Sequence, residues 1–265
     1  MMDKLLSLRQ AAELVPEGAT LGLGGMTLYR RPVAFVRALL ARPDSPPGLT
    51  LLGLTLGFES DLLVGAGLVA RVRSCYFGLE SFGLAPMFTA TVGRGELEVV
   101  EETEFSIALG LRAYLAGVGF MPGLGWQGTD LPRLRPDVKT VADPYTGEQL
   151  TAYPAISGDV AVIHACLADR EGNVQLGGNP TVDGELSVVA PIAIVTAERV
   201  VDKISERVDI GAPVVSAVVH APHGAWPTSC YPDYPVGGGE ILRYIEACNA
   251  GRFSDYLADF VARRA

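Results

Sequence analysis

Metal-ligating and thiol side chains are scarce. Three histidines (His164, His220 and His223) and four cysteines (Cys75, Cys166, Cys230 and Cys248) are spread through 265 residues without a Cys-x-x-Cys pair. That spacing is unlike a zinc cluster, so no metal site is expected, and the thiols read as reduced core residues of a cytoplasmic protein. Basic residues are also in deficit, 21 against 30 acidic ones for a net charge of −9. They are scattered, which excludes a nucleic-acid surface, because phosphate contacts need clustered Lys and Arg. The most apolar stretch, 186–197, falls well short of the roughly 20 residues that span a bilayer, so no membrane association is expected. The start, Met1-Met2-Asp3-Lys4-Leu5, lacks the basic and apolar regions of a secretory leader.

Signatures of several enzyme classes are missing too. Gly22-Leu23-Gly24-Gly25 has no third glycine at the following helix start, and no acidic residue closes the next strand where a dinucleotide ribose would need one. There is no Gly-Lys-Ser/Thr phosphate loop. Ser81 lacks the glycine two residues earlier that a nucleophile elbow requires.

What the chain does have is apolar content, 49% of its residues, enough to bury a core without disulfides or metal and to form one α/β domain over 1–265. The organising stretch is 20–40, where the apolar run Thr20-Leu21-Gly22-Leu23 meets Gly24-Gly25 and then a helix predicted to begin at Pro32. Glycine lets the backbone turn tightly or approach a ligand, and proline suits a first helical position because its missing N–H would be unpaired there. Such a stretch is also what an ordinary strand-to-helix turn looks like.

Further along, Ser7 and Gln10 form a capping box, the near-continuous apolar run 49–54 reads as a strand covered on both faces, and 72–77, 160–165 and 192–197 read as further strands. Shorter strands are expected at 97–100, 150–154, 173–175 and 214–220, and helices at 61–65, 103–116 (capped by Thr103), 184–190, 239–250 and 254–263. The Gly- and Pro-rich segment 120–135 reads as a long ordered surface loop. Alternation of this kind implies parallel βαβ units in an open, mostly parallel, doubly wound sheet, with ligands outside the carboxyl ends of the strands. Three glycine-rich stretches, 24–31, 53–58 and 78–83, should converge at that edge.

The stretch from Glu17-Gly18-Ala19-Thr20 through Pro32 resembles the amino-terminal signature of class I coenzyme A transferases, with Glu17, Met26 and Arg30 departing from its commonest form. The continuation Arg30-Arg31-Pro32-x-x-Phe35-Val36-Arg37-Ala38 is more similar to the branch that holds the A (α) subunit of glutaconate CoA-transferase and a related steroid-ring hydrolase subunit. Downstream, Phe120-Met121-Pro122 with Gly128-Thr129-Asp130, Asp143-Pro144-Tyr145-Thr146-Gly147, the run 159–165, Ala168-Asp169-Arg170-Glu171-Gly172-Asn173-Val174 and Gly224-Ala225-Trp226-Pro227-Thr228-Ser229 resemble that family in the right order.

The resemblance implies the NagB/RpiA-like CoA-transferase fold and a partner B (β) subunit, in a heterodimer or heterotetramer. It also implies transfer of CoA from an acyl-CoA to a small carboxylic or dicarboxylic acid, with coenzyme A as substrate and no permanently bound cofactor. In that chemistry a Glu of the B subunit, within Ser-Glu-Asn-Gly, attacks the thioester through covalent intermediates. That tetrapeptide is absent here, so the chain alone is expected to be inactive and to form one wall of an intersubunit cleft.

For that wall the candidates are Gly24, Gly25, Arg30, Arg31 and Ser81. Backbone N–H groups at a helix start bind anions and a guanidinium holds a carboxylate through two bonds, although each Arg could equally make a structural pair and Ser81 could be a satisfied loop hydroxyl. Among Glu101, Glu102 and Glu104, a buried carboxylate could become a base. By resemblance to the steroid-ring hydrolases Glu104 is the candidate, in competition with an ordinary helix-start carboxylate.

Overall fold

The structure, a computed structural model, describes residues 3–263. After the Ser7-capped α1 (Leu8–Ala12) come β1 (Thr20–Leu23), α2 (Val33–Leu40), β2 (Leu49–Leu52), β3 (Thr55–Leu56), α3 (Phe58–Gly65), β4 (Val69–Ser74) and β5 (Tyr76–Phe77). A 3-10 turn at Glu80–Phe82 leads to α4 (Pro86–Gly93), β6 (Glu98–Glu101), α5 (Glu104–Leu115), β7 (Phe120–Gly123), α6 (Leu131–Leu134), β8 (Lys139–Ala142) and β9 (Gln149–Pro154). The chain closes with β10 (Val160–Asp169), β11 (Val174–Gln175), α7 (Asp183–Val188), β12 (Ile192–Val201), β13 (Ala217–His220), α8 (Gly238–Asn249) and α9 (Phe253–Ala262).

The expected architecture is present. The main sheet has eight strands in the order β13-β12-β10-β1-β2-β4-β6, all parallel, with β11 antiparallel on β10. From β1 the chain first winds out to β6 and later returns on the other side through β10. The boundary between β1 and β10 is therefore the switch point, where open α/β sheets form their ligand crevice.

Strand parity divides the core. Leu21, Leu23, Leu51, Val160 and Val162 face α2, whose Phe35, Val36 and Leu39 are fully buried against them. On the opposite face Leu52 and Ala161 meet α5 and α7 through Ile107, Leu111 and Leu186. Gly22 sits on that second face, and a Cβ there would come within 2.8 Å of Leu186 Cδ1. The residue is glycine because α7 packs that closely. A third cluster caps α3 with α8 and α9, where the Phe58 ring meets Tyr244 at 5.1 Å and Phe260 at 5.5 Å, both edge-on.

Two expectations need correction. Pro32 is the N-cap of α2 and not its first residue, with φ −78° and ψ 58°, and its carbonyl accepts from Val36 N at 3.1 Å. Segment 120–135 is not one loop: β7 pairs antiparallel with β9 in a three-stranded sheet ordered β7-β9-β8, and α6 follows. Glycine and proline in β7 hid the strand, but β7 is an edge strand, where a proline removes no needed donor. The helix α4, the strand β8 and the short parallel pair β3–β5 were also unanticipated.

The glycine-rich stretches do converge at the carboxyl edge. Thr27 N donates to Thr55 Oγ1 at 2.8 Å, and Gly78 N to the Leu56 carbonyl at 3.2 Å. A Cβ on Gly57 would lie 2.4 Å from the Thr27 carbonyl oxygen.

Because Phe58 is fully buried between two aromatic rings, Phe58→Ala should cost about 3–5 kcal/mol. A lowered urea midpoint with a near-native m-value would register it, and a change below about 1 kcal/mol would mean that the α3–α8–α9 cluster is loosely packed.

Candidate functional site

Strand β1 delivers Gly24 and Gly25 to the switch point. Gly25 has φ +81°, and a Cβ there would lie 2.4 Å from the Arg30 carbonyl oxygen, so the position requires glycine. The same turn holds Thr27 at φ 36° and Arg30 at φ 52°. Non-glycine residues persist in the left-handed region only where their surroundings over-determine it, which directs attention to this turn.

Its surroundings are two buried ion pairs. Asp183 Oδ2 accepts from Arg30 Nη2 at 2.9 Å, and Asp183 Oδ1 from Gly25 N at 2.8 Å. Arg30 also donates to the carbonyls of His164, at 2.8 Å, and Asn179. Arg31 grips Glu59 Oε1 through Nε at 2.9 Å and Nη2 at 2.6 Å, while Nη1 reaches the carbonyls of Thr55, at 2.9 Å, and Gly25, at 3.2 Å. All four charged side chains are 0% exposed.

The placement differs from the sequence expectation of open anion-binding groups. Each guanidinium already holds a carboxylate of its own chain, Gly25 N–H is taken by Asp183, and Gly24 N–H by the Val162 carbonyl at 2.9 Å. The reason lies in α3 and α7, which bring Glu59 and Asp183 beneath the turn.

Ser81 is exposed on the 3-10 turn at the same edge, next to Glu80, which has φ 53°. The acidic stretch is sorted by burial. Glu102 is buried and clamped by Arg73 at 2.7 Å, Arg135 at 2.9 Å and the Ser106 hydroxyl, tying β4 and the 131–135 segment to the start of α5. Glu104 is the exposed first residue of α5, capped by Thr103 and Ser106. Half-buried Cys75 lies near it: burial, then the negative charge of Glu104, pushes that thiol up to about 11. Cys75 is therefore protonated at neutral pH.

Sequence reasoning missed a polar network behind the turn. His164, fully buried on β10, contacts Thr196 Oγ1 through Nδ1 at 2.8 Å and Glu198 Oε1 through Nε2 at 2.7 Å. Glu198 also accepts from Tyr234 OH and from His223 N at 2.6 Å. Thr196 and Glu198, two residues apart on mostly apolar β12, were the available signal, because that spacing puts both on one face. The structure also corrects the reading of the cysteines as isolated: Cys166 Sγ and Cys230 Sγ are 3.7 Å apart.

Residues 5–218 match the coenzyme A transferase family model. The chain belongs to the coenzyme A transferase family. It is 34% identical over 246 residues to the A (α) subunit of 3-oxoadipate CoA-transferase from Pseudomonas knackmussii, covering 88% of this chain and 84% of that one. It is 32% identical over 241 residues to the cholesterol ring-cleaving hydrolase IpdA subunit of Rhodococcus jostii, covering 84% and 79% respectively. Among solved structures, the decarboxylase AibA/AibB superposes with a TM-score of 0.91 at 32% identity, covering 99% of this chain and 100% of that one. Glutaconate coenzyme A-transferase from Acidaminococcus fermentans superposes with a TM-score of 0.89 at 28% identity, covering 97% and 88%. CoA-transferase subunits and relatives with other chemistries thus share this fold. No described helix is long and apolar enough to cross a membrane.

In this transferase-family chain Asp183 neutralises a guanidinium that water does not reach. Asp183→Asn should therefore cost about 3–5 kcal/mol, measured by urea unfolding, because it leaves Arg30 a buried unpaired charge. Burial holds the His164 imidazole below its ordinary value, against the pull of Glu198. The folded state thus binds fewer protons than the unfolded one, and this contribution is intact above about pH 6.5 and erodes as pH falls below it. Burial pushes the Glu198 carboxyl up, but the hydrogen bonds from His164, Tyr234 and His223 N together hold it below its ordinary value, so Glu198 adds a loss in the acid range. Urea midpoints should drop through the first window in the wild type and stay flat there in His164→Gln; parallel profiles would refute the assignment.

Proposed function

We propose that this chain is the A subunit of a hetero-oligomeric class I CoA-transferase that moves CoA between an acyl-CoA and a small carboxylic or dicarboxylic acid. The observation that carries the reading is the state of the carboxylates at the glycine turn. Asp183 and Glu59 are buried and consumed by Arg30 and Arg31, so neither can attack a thioester. A nucleophile at this edge has to come from outside the turn, and a B subunit's Glu meets that need.

The transfer then runs in balanced steps. The Glu carboxylate attacks the thioester carbonyl and expels CoA thiolate, leaving a mixed anhydride; the thiolate attacks the enzyme's own carbonyl of that anhydride, releasing the first acid and forming an enzyme-CoA thioester. The acceptor carboxylate repeats the sequence in reverse. In this scheme Gly24, Gly25, Arg30 and Arg31 shape a rigid wall at the switch point, and exposed Ser81 is the side chain of this chain offered to the substrate. Coenzyme A is a substrate, and no permanently held cofactor is invoked. The names of the relatives, a 3-oxoadipate and a glutaconate transferase, support a short dicarboxylic acid.

A second reading is favoured by Glu104, exposed at the start of α5, whose negative charge helps to raise the Cys75 thiol. In a hydrolase subunit related to the ring-cleaving relative, Glu104 would take a proton from water as it adds to a ring ketone of a cyclic diketo acyl-CoA; the carbon–carbon bond would then break to give a carboxylic acid and an enolate, which takes that proton back from Glu104.

The two readings part on one preparation, this chain co-expressed with the B subunit. Transfer predicts an enzyme-CoA thioester on the partner, trapped by borohydride or hydroxylamine after incubation with acyl-CoA, and no turnover by this chain alone. Ring cleavage without any trappable thioester, abolished by Glu104→Ala, would replace the transfer reading by the hydrolytic one. Full turnover by the isolated chain would remove both.

A further inference from the structure

Cys166 and Cys230 stand 64 positions apart in the sequence yet bring their sulfurs to 3.7 Å. In a tetrahedral site with metal–sulfur bonds of about 2.3 Å, two thiolates are separated by ~3.8 Å. The pair thus already has the edge length of a tetrahedral thiolate site. The Asp233 carboxylate supplies a third donor: its oxygen and both sulfurs all lie within 4.8 Å of one another.

The local fold presents these groups as metal sites do. Asp233 N donates to the Cys230 carbonyl at 2.8 Å and Cys230 N to the Tyr234 carbonyl at 3.1 Å, closing a tight turn that carries the Cys-x-x-Asp pair on one side. Two ligands from one turn at a spacing of two intervening residues is a recurrent feature of zinc sites, and three protein donors leave the fourth position of a tetrahedral ion open to water. Cys166 comes from β10, the central strand beside β1. Its sulfur is covered by Gly177, where a Cβ would sit 2.8 Å away, so the glycine makes room for it. The sulfurs have few other partners: Cys166 lies 3.5 Å from the Leu176 carbonyl, and among the described residues the Cys230 thiol is hydrogen-bonded only to that of Cys166. His164 and Glu198 also approach Cys230, but they are hydrogen-bonded to each other and to Thr196, Tyr234 and His223. They form a shell behind the site that needs no ion. Asp233 is exposed, so an ion can enter from the surface.

We propose that Cys166, Cys230 and Asp233 form a site for a thiophilic divalent cation of the zinc class, with water in the fourth position. The site lies next to the glycine turn, since Ser229 exchanges backbone hydrogen bonds with that turn, donating to the Leu28 carbonyl at 2.8 Å and accepting from Arg30 N at 2.7 Å. A bound ion would fasten the 229–234 segment, and through it the turn, to β10. The inference is independent of which acyl-CoA reaction the protein performs. It reverses the sequence expectation of no metal, which rested on spacing along the chain.

The test uses the untagged full-length chain, metal-stripped and freshly reduced, titrated with Co²⁺ without oxygen. Thiolate-to-cobalt charge-transfer absorption should rise to one ion per chain and vanish on adding Zn²⁺. Asp233→Asn, at an exposed position, should weaken cobalt binding at least about tenfold, and Cys230→Ser should remove the charge-transfer absorption. Zn²⁺ should raise the unfolding temperature of the wild type in a concentration-dependent way and leave Asp233→Asn little changed. Absence of thiolate absorption overturns the site, as does uptake unaffected by either variant. Air oxidation to a Cys166–Cys230 disulfide in a protein that takes up no metal would also overturn it, leaving a dithiol and nothing more.

Discussion

Two buried carboxylate–guanidinium pairs hold the switch point of the sheet. Asp183–Arg30 and Glu59–Arg31 lie on either side of the Gly24-Gly25 turn, fully removed from water. Buried pairs of this kind contribute little net stability compared with apolar packing, since desolvation offsets most of the attraction. What they impose is geometry. Asp183 fixes Gly25 N–H and Arg30 together, and Arg31 bonds the Gly25 and Thr55 carbonyls, so the loops after β1 and β2 cannot move independently.

The rest of the edge follows from this arrangement. The charges of the turn are neutralised within the chain, and both of its carboxylates are already held by guanidinium groups. The polar network of His164, Glu198 and Tyr234 supports it from behind, since Arg30 also bonds the His164 carbonyl. The Glu102 clamp anchors α5 and, with it, the position of exposed Glu104. Relatives that share this fold carry the names of a transferase, a hydrolase and a decarboxylase.

The fold was largely legible because its signals are local. Near-continuous apolar runs marked β1, β2, β10 and β12, and the Thr103 cap marked the start of α5. Where the local signal was mixed it misled. Glycine and proline concealed β7, which needs only one bonded edge, and apolar but weakly patterned 86–93 concealed α4. The candidate site was legible in place but not in chemistry: the convergence of three glycine-rich stretches was foreseen, whereas the burial of Arg30 and Arg31 was not.

By itself the sequence determined the family, the main parallel strands with the helices between most of them, and the position of the crossover glycines, because periodicity, capping and turn chemistry act over a few residues. Only the tertiary structure decided which charges are spent and which thiols meet. Asp183 reaches Gly25 across 158 positions, and Cys230 reaches Cys166 across 64. Such meetings depend on strand order and on which sheet face a helix covers. No spacing along the chain encodes them, since the second half of the sheet folds back beside the first strand.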